Sequence, residues 1–203
     1  MFSTIFQDLG SYIDAGGWVM PPLIAAAVVL WFAIGYRIAA LRRGTARGAR
    51  NLVYRVRKGK MPKTDGVLVR ATVTGLNLFE RHGPELRPFL DEAFFEEEKE
   101  IRKYRILIIT IVMVAPLLGL LGTVIGMIET FNSLGDMSLF SQSGGIAGGI
   151  SQALFTTQMG LAVAIPGMIV NGLLNRRQLD LELELAQIKD LLCSGEFADE
   201  GVD

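Results

Sequence analysis

Two apolar stretches of this sequence carry hydroxyl and small side chains in places where contact with lipid alone would favour leucine. In the later stretch these residues recur every three or four positions, which is the spacing of one helical face. That face comprises Gly149, Ala153, Thr157, Gly160, Ala164, Gly167 and Asn171. The matching face of the earlier stretch comprises Gly119, Gly122, Thr123, Gly126 and Thr130. Small residues let two membrane helices approach closely and hydroxyl groups bond across the contact, so the pattern predicts a packed helix pair.

Ion passage is the chemistry that these hydroxyl groups could serve. Thr123, Thr156 and Thr157 would lie at mid-membrane, where uncharged oxygen atoms facing a wet interior can help an ion to cross. The alternative is that the stripes pack helices and do nothing more. The residues predicted for that packing face are Gly119, Gly122, Gly126, Thr130, Ala153, Gly160, Ala164 and Pro166. The residues alone leave both interpretations open.

Other polar residues in the two stretches are costly to place in hydrocarbon, so we expect them to face protein or water. They are Glu129, Gln152, Gln158 and Asn171. Glu129 lies near the outer end of the earlier stretch. A carboxylate that reaches the outside water is therefore favoured there over a conducting role.

The composition indicates a membrane protein and gives no sign of an enzyme. Half of the 203 residues are apolar, and the mean hydropathy of +0.38 is high for a soluble domain. The single cysteine, Cys193, excludes an internal disulfide, and no Cys/His cluster suggests a metal ion. No pairing of a nucleophile with a base is visible either. We therefore predict no catalytic residue, no metal and no cofactor.

Three segments are long and apolar enough to cross a bilayer, which needs about 20 residues. The first, 18–36, begins and ends with aromatic residues, Trp18 and Tyr36, as is typical of the membrane interfaces. The other two, 106–134 and 149–174, contain Pro116 and Pro166, which membrane helices tolerate when neighbours satisfy the freed carbonyl. The predicted fold class is an all-α membrane protein with three transmembrane helices and long cytoplasmic helical extensions.

The positive charges predict the topology. All 20 Lys and Arg residues lie either between Arg37 and Arg105 or after the third span. Basic residues that flank spans stay in the cytoplasm. The predicted organisation is an outer-face amphipathic helix over 1–17, a cytoplasmic helical domain over 37–105, a periplasmic loop over 135–148, and a cytoplasmic helix and tail over 175–203. The first segment could instead pack against a neighbouring chain, and the basic cluster at 37–63 indicates membrane lipids or structure rather than nucleic acid.

Inside the cytoplasmic segments we expect three helices. One runs from Thr64-Asp65-Gly66 to about Arg81, although its β-branched residues favour a strand by propensity. A second starts at Gly83-Pro84 and continues without a break into the second span. The third continues the last span, although the period-2 stretch Leu179–Leu185 could be a strand. From Gly195 onward the acidic tail is expected to be disordered.

The motifs of spans two and three resemble the ExbB/TolQ/MotA family of ion-driven motor stators. They are Ala115-Pro116, Gly119-Leu120 and Gly122-Thr123-Val124 in span two, with Gly160-Leu161 and Ala164-Ile165-Pro166 in span three. The short outer N-terminus and the size of the inner loop are most similar to the ExbB and TolQ branches. Flagellar MotA has an additional span that is not visible in this sequence.

The resemblance implies a bacterial inner-membrane homopentamer whose second and third spans line a central pore. That pore would hold the single spans of a dimeric ExbD- or TolR-like partner, which supplies a membrane aspartate. The output would pass to a TonB- or TolA-like protein. By the same resemblance, Thr123 and Thr157 match the family's threonines nearest that aspartate. Many members have a glutamate where this chain has Gln152, so this position of the expected ion path cannot titrate.

The leading hypothesis is an ExbB-like subunit that couples proton motive force to TonB-dependent outer-membrane transport. The pair Thr156-Thr157 also resembles sodium-driven stators, so the ion is expected to be a proton by default, with sodium as the alternative. A TolQ-like role in envelope integrity and a passive membrane scaffold remain alternative hypotheses. A substrate carrier is disfavoured because no inverted repeat is present.

Overall fold

The computed structural model describes residues 16–42, 44, 48–60, 66–82, 86–136 and 144–195, and these residues form helices joined by turns. A short 3-10 helix, Gly17–Val19, leads into the first α-helix. The α-helices are α1 (Met20–Ala40), α2 (Ala49–Arg57), α3 (Val67–His82), α4 (Leu86–Arg102), α5 (Arg105–Asp136) and α6 (Gly144–Ser194). The prediction of an all-α fold is confirmed.

Three of the helical stretches are long and apolar enough to cross a membrane, namely Gly17–Ala40, Leu86–Gly135 and Ile146–Ser194. Each contains one of the predicted spans, so the prediction of three membrane-length helices is confirmed. Which residues of each helix lie in the bilayer, and which side each end faces, stay predictions. The predicted helix over 1–17 and the tail after Gly195 lie almost wholly outside the described residues, as do residues 137–143 of the loop predicted over 135–148. The described residues of that loop, 135–136 and 144–148, belong to the ends of α5 and α6.

The chain forms two compact units. The first consists of 1–34 and 106–171, so among the described residues it holds most of α1, most of α5 and the first half of α6. These three helices meet at Gly167. A Cβ atom added there would lie 2.9 Å from methyl groups of both Leu30 in α1 and Val112 in α5. Helices α5 and α6 continue through Pro116 and Pro166 without ending.

The second unit consists of 35–105 and 172–203, and in it α3, α4 and the later half of α6 share an apolar core. Its buried side chains include Leu68, Leu86, Leu90, Phe94, Ile101, Leu181, Leu185, Ile188 and Leu192. The segment 67–82 is helical despite its β-branched residues, because one face packs tightly. The hydroxyl of Thr72 donates to the carbonyl of Leu68 at 2.7 Å, and Gly75 admits the side chains of Leu90 and Leu192.

The later half of α6 is helical through Leu179–Leu185, so the helical interpretation of this stretch is confirmed and the strand alternative is wrong. Every third or fourth residue from Leu181 onward points into the core of the second unit. The burial of this row of side chains favours a helix more strongly than the local period-2 alternation favours a strand.

The prediction of one unbroken helix from Gly83-Pro84 into the second span is wrong at one place. Helix α4 ends at Arg102 and α5 begins at Arg105, with a turn at Lys103 and Tyr104 between them. Tyr104 has a φ of 60°, in the left-handed region that side chains rarely adopt. Its ring packs edge-on against Tyr36 with a centroid distance of 5.0 Å, and the Lys103 ammonium lies 5.1 Å from the Tyr36 ring centroid. These contacts stabilise the turn, which contains no glycine or proline that would have predicted it.

Candidate functional site

Helices α5 and α6 touch backbone to backbone along a row of small residues, which we call the α5–α6 seam (residues 115–130 against 149–160). A Cβ atom added to Gly119 would lie 3.1 Å from the Thr156 carbonyl oxygen and 3.2 Å from the Thr157 Cα. One added to Gly160 would lie 2.8 Å from the Ala115 carbonyl oxygen. A Cβ atom at Gly160 would clash with the backbone of α5, and one at Gly119 would require the backbone of α6 to move by a few tenths of an ångström. These glycines therefore set how closely the helices approach.

The seam continues toward the end of α5 in the same way. A Cβ atom on Gly126 would lie 2.6 Å from the Gly149 carbonyl oxygen and 3.0 Å from the Ala153 Cβ. A Cβ atom on Gly149 would contact the Thr130 hydroxyl and lie 2.7 Å from the Gly126 carbonyl oxygen. The seam therefore brings together Gly119, Gly122, Gly126, Thr130, Ala153 and Gly160, six of the residues expected on a packing or pore face. Of the other two, Ala164 is buried and Pro166 is half-buried.

Thr156 lies inside the seam and is fully buried. Its hydroxyl donates to carbonyl oxygens of its own helix, those of Ala153 at 3.0 Å and Gln152 at 3.1 Å. Its side chain fills the space beside Gly122, where an added Cβ atom would contact the Thr156 hydroxyl oxygen and lie 2.5 Å from the Thr156 Cβ and 2.8 Å from its Cγ2. The structure thus places this threonine between the helices, with its only proton used within α6.

Thr157 lies at the edge of the seam and is half-buried. Its hydroxyl donates to the Gly119 carbonyl of α5 and to the Ala153 carbonyl of α6, each at 3.3 Å. Both distances exceed the usual 2.5–3.0 Å of an O–H···O hydrogen bond. A hydroxyl shared between two long bonds is held weakly, so it can turn toward another acceptor at small cost.

Thr123 is half-buried on α5, and its hydroxyl donates to the Leu120 carbonyl of the same helix at 2.6 Å. Thr130 is buried, and its hydroxyl donates to the Gly126 carbonyl at 2.8 Å. Of the sequence-predicted threonines, Thr157 is the one whose hydroxyl joins the two helices in the hydrogen bonds of the described residues.

Gln152 lies on the opposite flank of α6 from Thr157. Five residues at 100° each separate their directions by about 140° around the helix axis. The amide nitrogen of Gln152 contacts Gly17, where an added Cβ atom would also lie 3.1 Å from the Gln152 Cδ. Gly17 itself has a φ of 60°. The structure therefore groups Gln152 with the turn that leads into α1 and does not bring it to the Thr157 hydroxyl.

The remaining polar residues of the spans lie at the surface of the single chain. Glu129 and Gln158 are exposed, and Asn171 is half-buried. Ser133 donates to the Glu129 carbonyl at 2.9 Å near the end of α5. Among the described residues, no group of three or more His, Cys, Asp or Glu side chains is placed to hold a metal ion.

Sequence reasoning missed a polar chain in the second unit. Arg37 is fully buried, and its Nη2 donates to the Gln178 Oε1 at 2.6 Å. The Gln178 Nε2 donates in turn to the Glu182 Oε1 at 2.8 Å, and the Arg102 Nε donates to the same oxygen at 2.9 Å. The sequence indicates Arg37 only as a topological charge, because 141 positions separate it from the amide that it contacts.

Comparison with known proteins places these helices in a described family. The family model of the MotA/TolQ/ExbB proton channel family matches residues 65–187. This range contains the seam and most of the second unit's helices.

Individual relatives match over a shorter range. The chain is 40% identical over 86 residues to a Synechocystis protein named ExbB-like 3, covering 42% of this chain and 41% of the relative. It is 40% identical over 80 residues to the biopolymer transport protein ExbB of Aquifex aeolicus, covering 39% of this chain and 53% of that protein. A second Synechocystis protein, ExbB-like 1, is 43% identical over 94 residues, which are 44% of this chain and 37% of the relative. The matches therefore span about two fifths to one half of these relatives.

Proposed function

Because this chain belongs to the MotA/TolQ/ExbB proton channel family, we propose that it is an ExbB-like stator subunit of an ion-driven motor in the bacterial inner membrane. It couples proton motive force to TonB-dependent outer-membrane transport. Its working form is a homo-oligomer, a pentamer in this proposal, that surrounds the single spans of an ExbD- or TolR-like dimer. The N-terminus lies in the periplasm and the C-terminus in the cytoplasm.

The observation that carries the proposal is the geometry of the Thr157 hydroxyl. It is half-buried at the edge of a seam between two apolar helices, and it divides its proton between two carbonyl oxygens at 3.3 Å. A carboxyl group that arrives from a partner can accept that proton more strongly than either carbonyl, because charged acceptors form the stronger hydrogen bonds. Thr157 can thus hold a partner's aspartate while the aspartate gains or loses a proton.

The partner must supply the titratable group on this proposal. Gln152 cannot titrate and lies on the far flank of α6. Thr123 and Thr157 offer hydroxyl groups only, and Glu129 lies toward the end of α5. This chain therefore provides the hydroxyl groups and the rigid helices, whereas an acidic side chain of the single-span partner carries the proton.

Replacing Thr157 with valine tests the proposal, because valine keeps the shape and removes the hydroxyl. The chain is co-expressed with the single-span, aspartate-bearing protein that we expect a neighbouring gene to encode, and the complex is reconstituted in vesicles with a pH-sensitive dye. We expect proton flux to fall about tenfold or more, which corresponds to the loss of about 1.4 kcal/mol of transition-state binding. Thr110→Val is the matched control, because Thr110 is an exposed threonine on α5 away from the seam.

Two outcomes would overturn the proposal. Unchanged flux in Thr157→Val would favour a passive scaffold, in which the hydroxyl only packs. A flux that requires sodium at fixed pH would show that the coupling ion is sodium and not the proton. A neighbouring gene without a short, aspartate-bearing single span would also count against a stator.

A further inference from the structure

Two threonines of the seam are placed reciprocally against two glycines. Thr156 of α6 fills the space beside Gly122 of α5, and Thr130 of α5 lies against Gly149 of α6. Both threonines are buried, at 0% and 4% exposure. Each helix therefore contributes one projecting side chain and one glycine recess, so the two contacts interlock.

We propose that Thr156 and Thr130 are positioning residues, which fix the register of α5 on α6 by their shape and thereby hold the Thr157 hydroxyl at the Gly119 carbonyl.

The hydroxyl groups of both threonines are already engaged within their own helices. Thr156 donates to the carbonyls of Gln152 and Ala153, and Thr130 donates to the carbonyl of Gly126 at 2.8 Å. A threonine hydroxyl has one proton to donate. The oxygen of each hydroxyl is the atom nearest the opposite glycine, but its proton is donated within its own helix. Each threonine therefore presents the volume of its side chain, oxygen included, to the opposite helix and donates no hydrogen bond to it.

The spacing of the two contacts explains why they fix register. From Gly122 to Thr130 is eight residues, about 12 Å along α5, and from Gly149 to Thr156 is seven residues, about 10.5 Å along α6. The helices run antiparallel here, since higher positions on α5 contact lower positions on α6. Two interlocked contacts at different heights oppose both sliding and rotation of one helix on the other.

The consequence for Thr157 follows from the rise of a helix. A slip of one residue moves a side chain by about 1.5 Å along the axis and by 100° around it. The bond from the Thr157 hydroxyl to the Gly119 carbonyl is already 3.3 Å long, so such a slip would break it. Thr130 and Thr156 therefore differ in role from Thr157, which acts through its hydroxyl group in the proposed function.

The first test reads the Gly119 carbonyl directly and does not depend on transport. The full chain is labelled with ¹³C-carbonyl glycine and ¹⁵N-leucine, so that signal arises from the four Gly–Leu pairs of the sequence. The Gly119 signal is assigned as the one that disappears in Leu120→Ile, a change at an exposed position. Thr157→Val sets the reference shift for the broken hydrogen bond.

We expect Thr156→Val to leave the Gly119 signal in place, because valine keeps the volume. Thr156→Ala, which leaves the recess beside Gly122 unfilled, should move it toward the Thr157→Val position. A Thr156→Ala signal identical to that of the unchanged chain would overturn the proposal. A Thr156→Val signal shifted as far as that of Thr156→Ala would also overturn it, because the hydroxyl would then be the group that matters.

The second test exchanges the projection and the recess. Gly122→Ala alone should place a Cβ atom 2.5 Å from the Thr156 Cβ and disturb the seam. The pair Gly122→Ala with Thr156→Gly moves the projection to α5 and should restore the Gly119 signal. A pair that is as disturbed as Gly122→Ala alone would contradict interlocking by shape.

The transport arm rests on the proposed function. In vesicles that contain the single-span partner, Thr156→Val should keep proton flux within about twofold, whereas Thr156→Ala and Thr157→Val should each lose about tenfold. Loss of flux in Thr156→Val with an unmoved Gly119 signal would overturn the shape-only role. If flux is unchanged in every variant while the carbonyl shifts are as expected, the positioning role is supported and the proposed function is contradicted.

Discussion

Replacing Gln178 by leucine should destabilise the second unit by about 2–4 kcal/mol. The Gln178 amide accepts a bond of 2.6 Å from the buried Arg37 and donates one of 2.8 Å to Glu182. Hydrogen bonds to charged groups contribute about 1.5–3 kcal/mol each, and a buried guanidinium that loses one of them is less well compensated for its burial. Glu182 keeps its bond of 2.9 Å from Arg102, so its loss is the smaller of the two.

The effects of substitutions at Gln178 and Arg37 on stability should be non-additive. Arg37→Met replaces the buried guanidinium by an apolar chain of similar length, which removes the desolvated charge itself. The double variant with Gln178→Leu should therefore be more stable than Gln178→Leu alone, by about 1–2 kcal/mol. Groups in contact are where such coupling is expected.

Thermal unfolding in detergent, followed by the loss of the monodisperse species, measures the effect. For a chain of this size about 2–4 °C of melting temperature corresponds to 1 kcal/mol, so Gln178→Leu should melt about 5–15 °C lower. Arg176→Met is the control, because this arginine of the same helix is exposed and should change stability by less than about 0.5 kcal/mol. The reasoning is refuted if Gln178→Leu melts like the control, or if the double variant loses the full sum of the two single losses.

Four further substitutions have expected outcomes in the same melting assay. Gly172→Ala should raise stability by up to about 1 kcal/mol, because an added Cβ atom at this position in a helix interior meets nothing within 4 Å. Gly160→Ala should lower stability, because its Cβ atom would lie 2.8 Å from a backbone oxygen of α5. Equal effects of the two substitutions would contradict the close contact at Gly160. Gly17→Ala should cost about 1–2 kcal/mol because φ is 60° there, and a neutral result would mean that this backbone relaxes. Lys189→Met removes a partly exposed ion pair with Asp91, should cost less than about 1 kcal/mol, and should lose even that effect in high salt.

The seam was predictable from the sequence because its cause is local and steric. Glycine, alanine and threonine at three- and four-residue spacing place small side chains on one helical face, whatever the rest of the fold does. The spacing predicted the faces that contain Gly119, Gly126 and Gly160, and the structure brings these residues together. Helical spacing places Thr157 rather than Thr156 on the small-residue face, whereas the structure buries Thr156 in the seam and leaves Thr157 at its edge. The difference arises because the position of the partner helix decides which side chains are covered.

The features that the sequence did not reveal depend on distant partners. The turn at Tyr104 carries no glycine or proline signal, and it is held by the ring of Tyr36, which lies far away in the chain. The sequence indicates Arg37 only as one more cytoplasmic charge, because the Gln178 amide that accepts its hydrogen bond lies far away in the chain. The position of Gln152 also depends on a distant partner, because Gly17, which it contacts, lies in the turn that leads into α1. Each case needs a tertiary contact that no local pattern encodes.

Adjacent threonines in one helix can do different work because each residue turns by 100°. That turn carries Thr156 into the recess beside Gly122 and leaves Thr157 at the edge of the seam, where its hydroxyl reaches a carbonyl of the other helix. A sodium ion would need several oxygen ligands converging on one point. The Thr156 oxygen is enclosed between the helices, so the pair presents one accessible hydroxyl oxygen rather than two. A single weakly held hydroxyl is suited to receiving a carboxyl group that carries a proton, and this favours proton coupling over sodium coupling in the proposed motor.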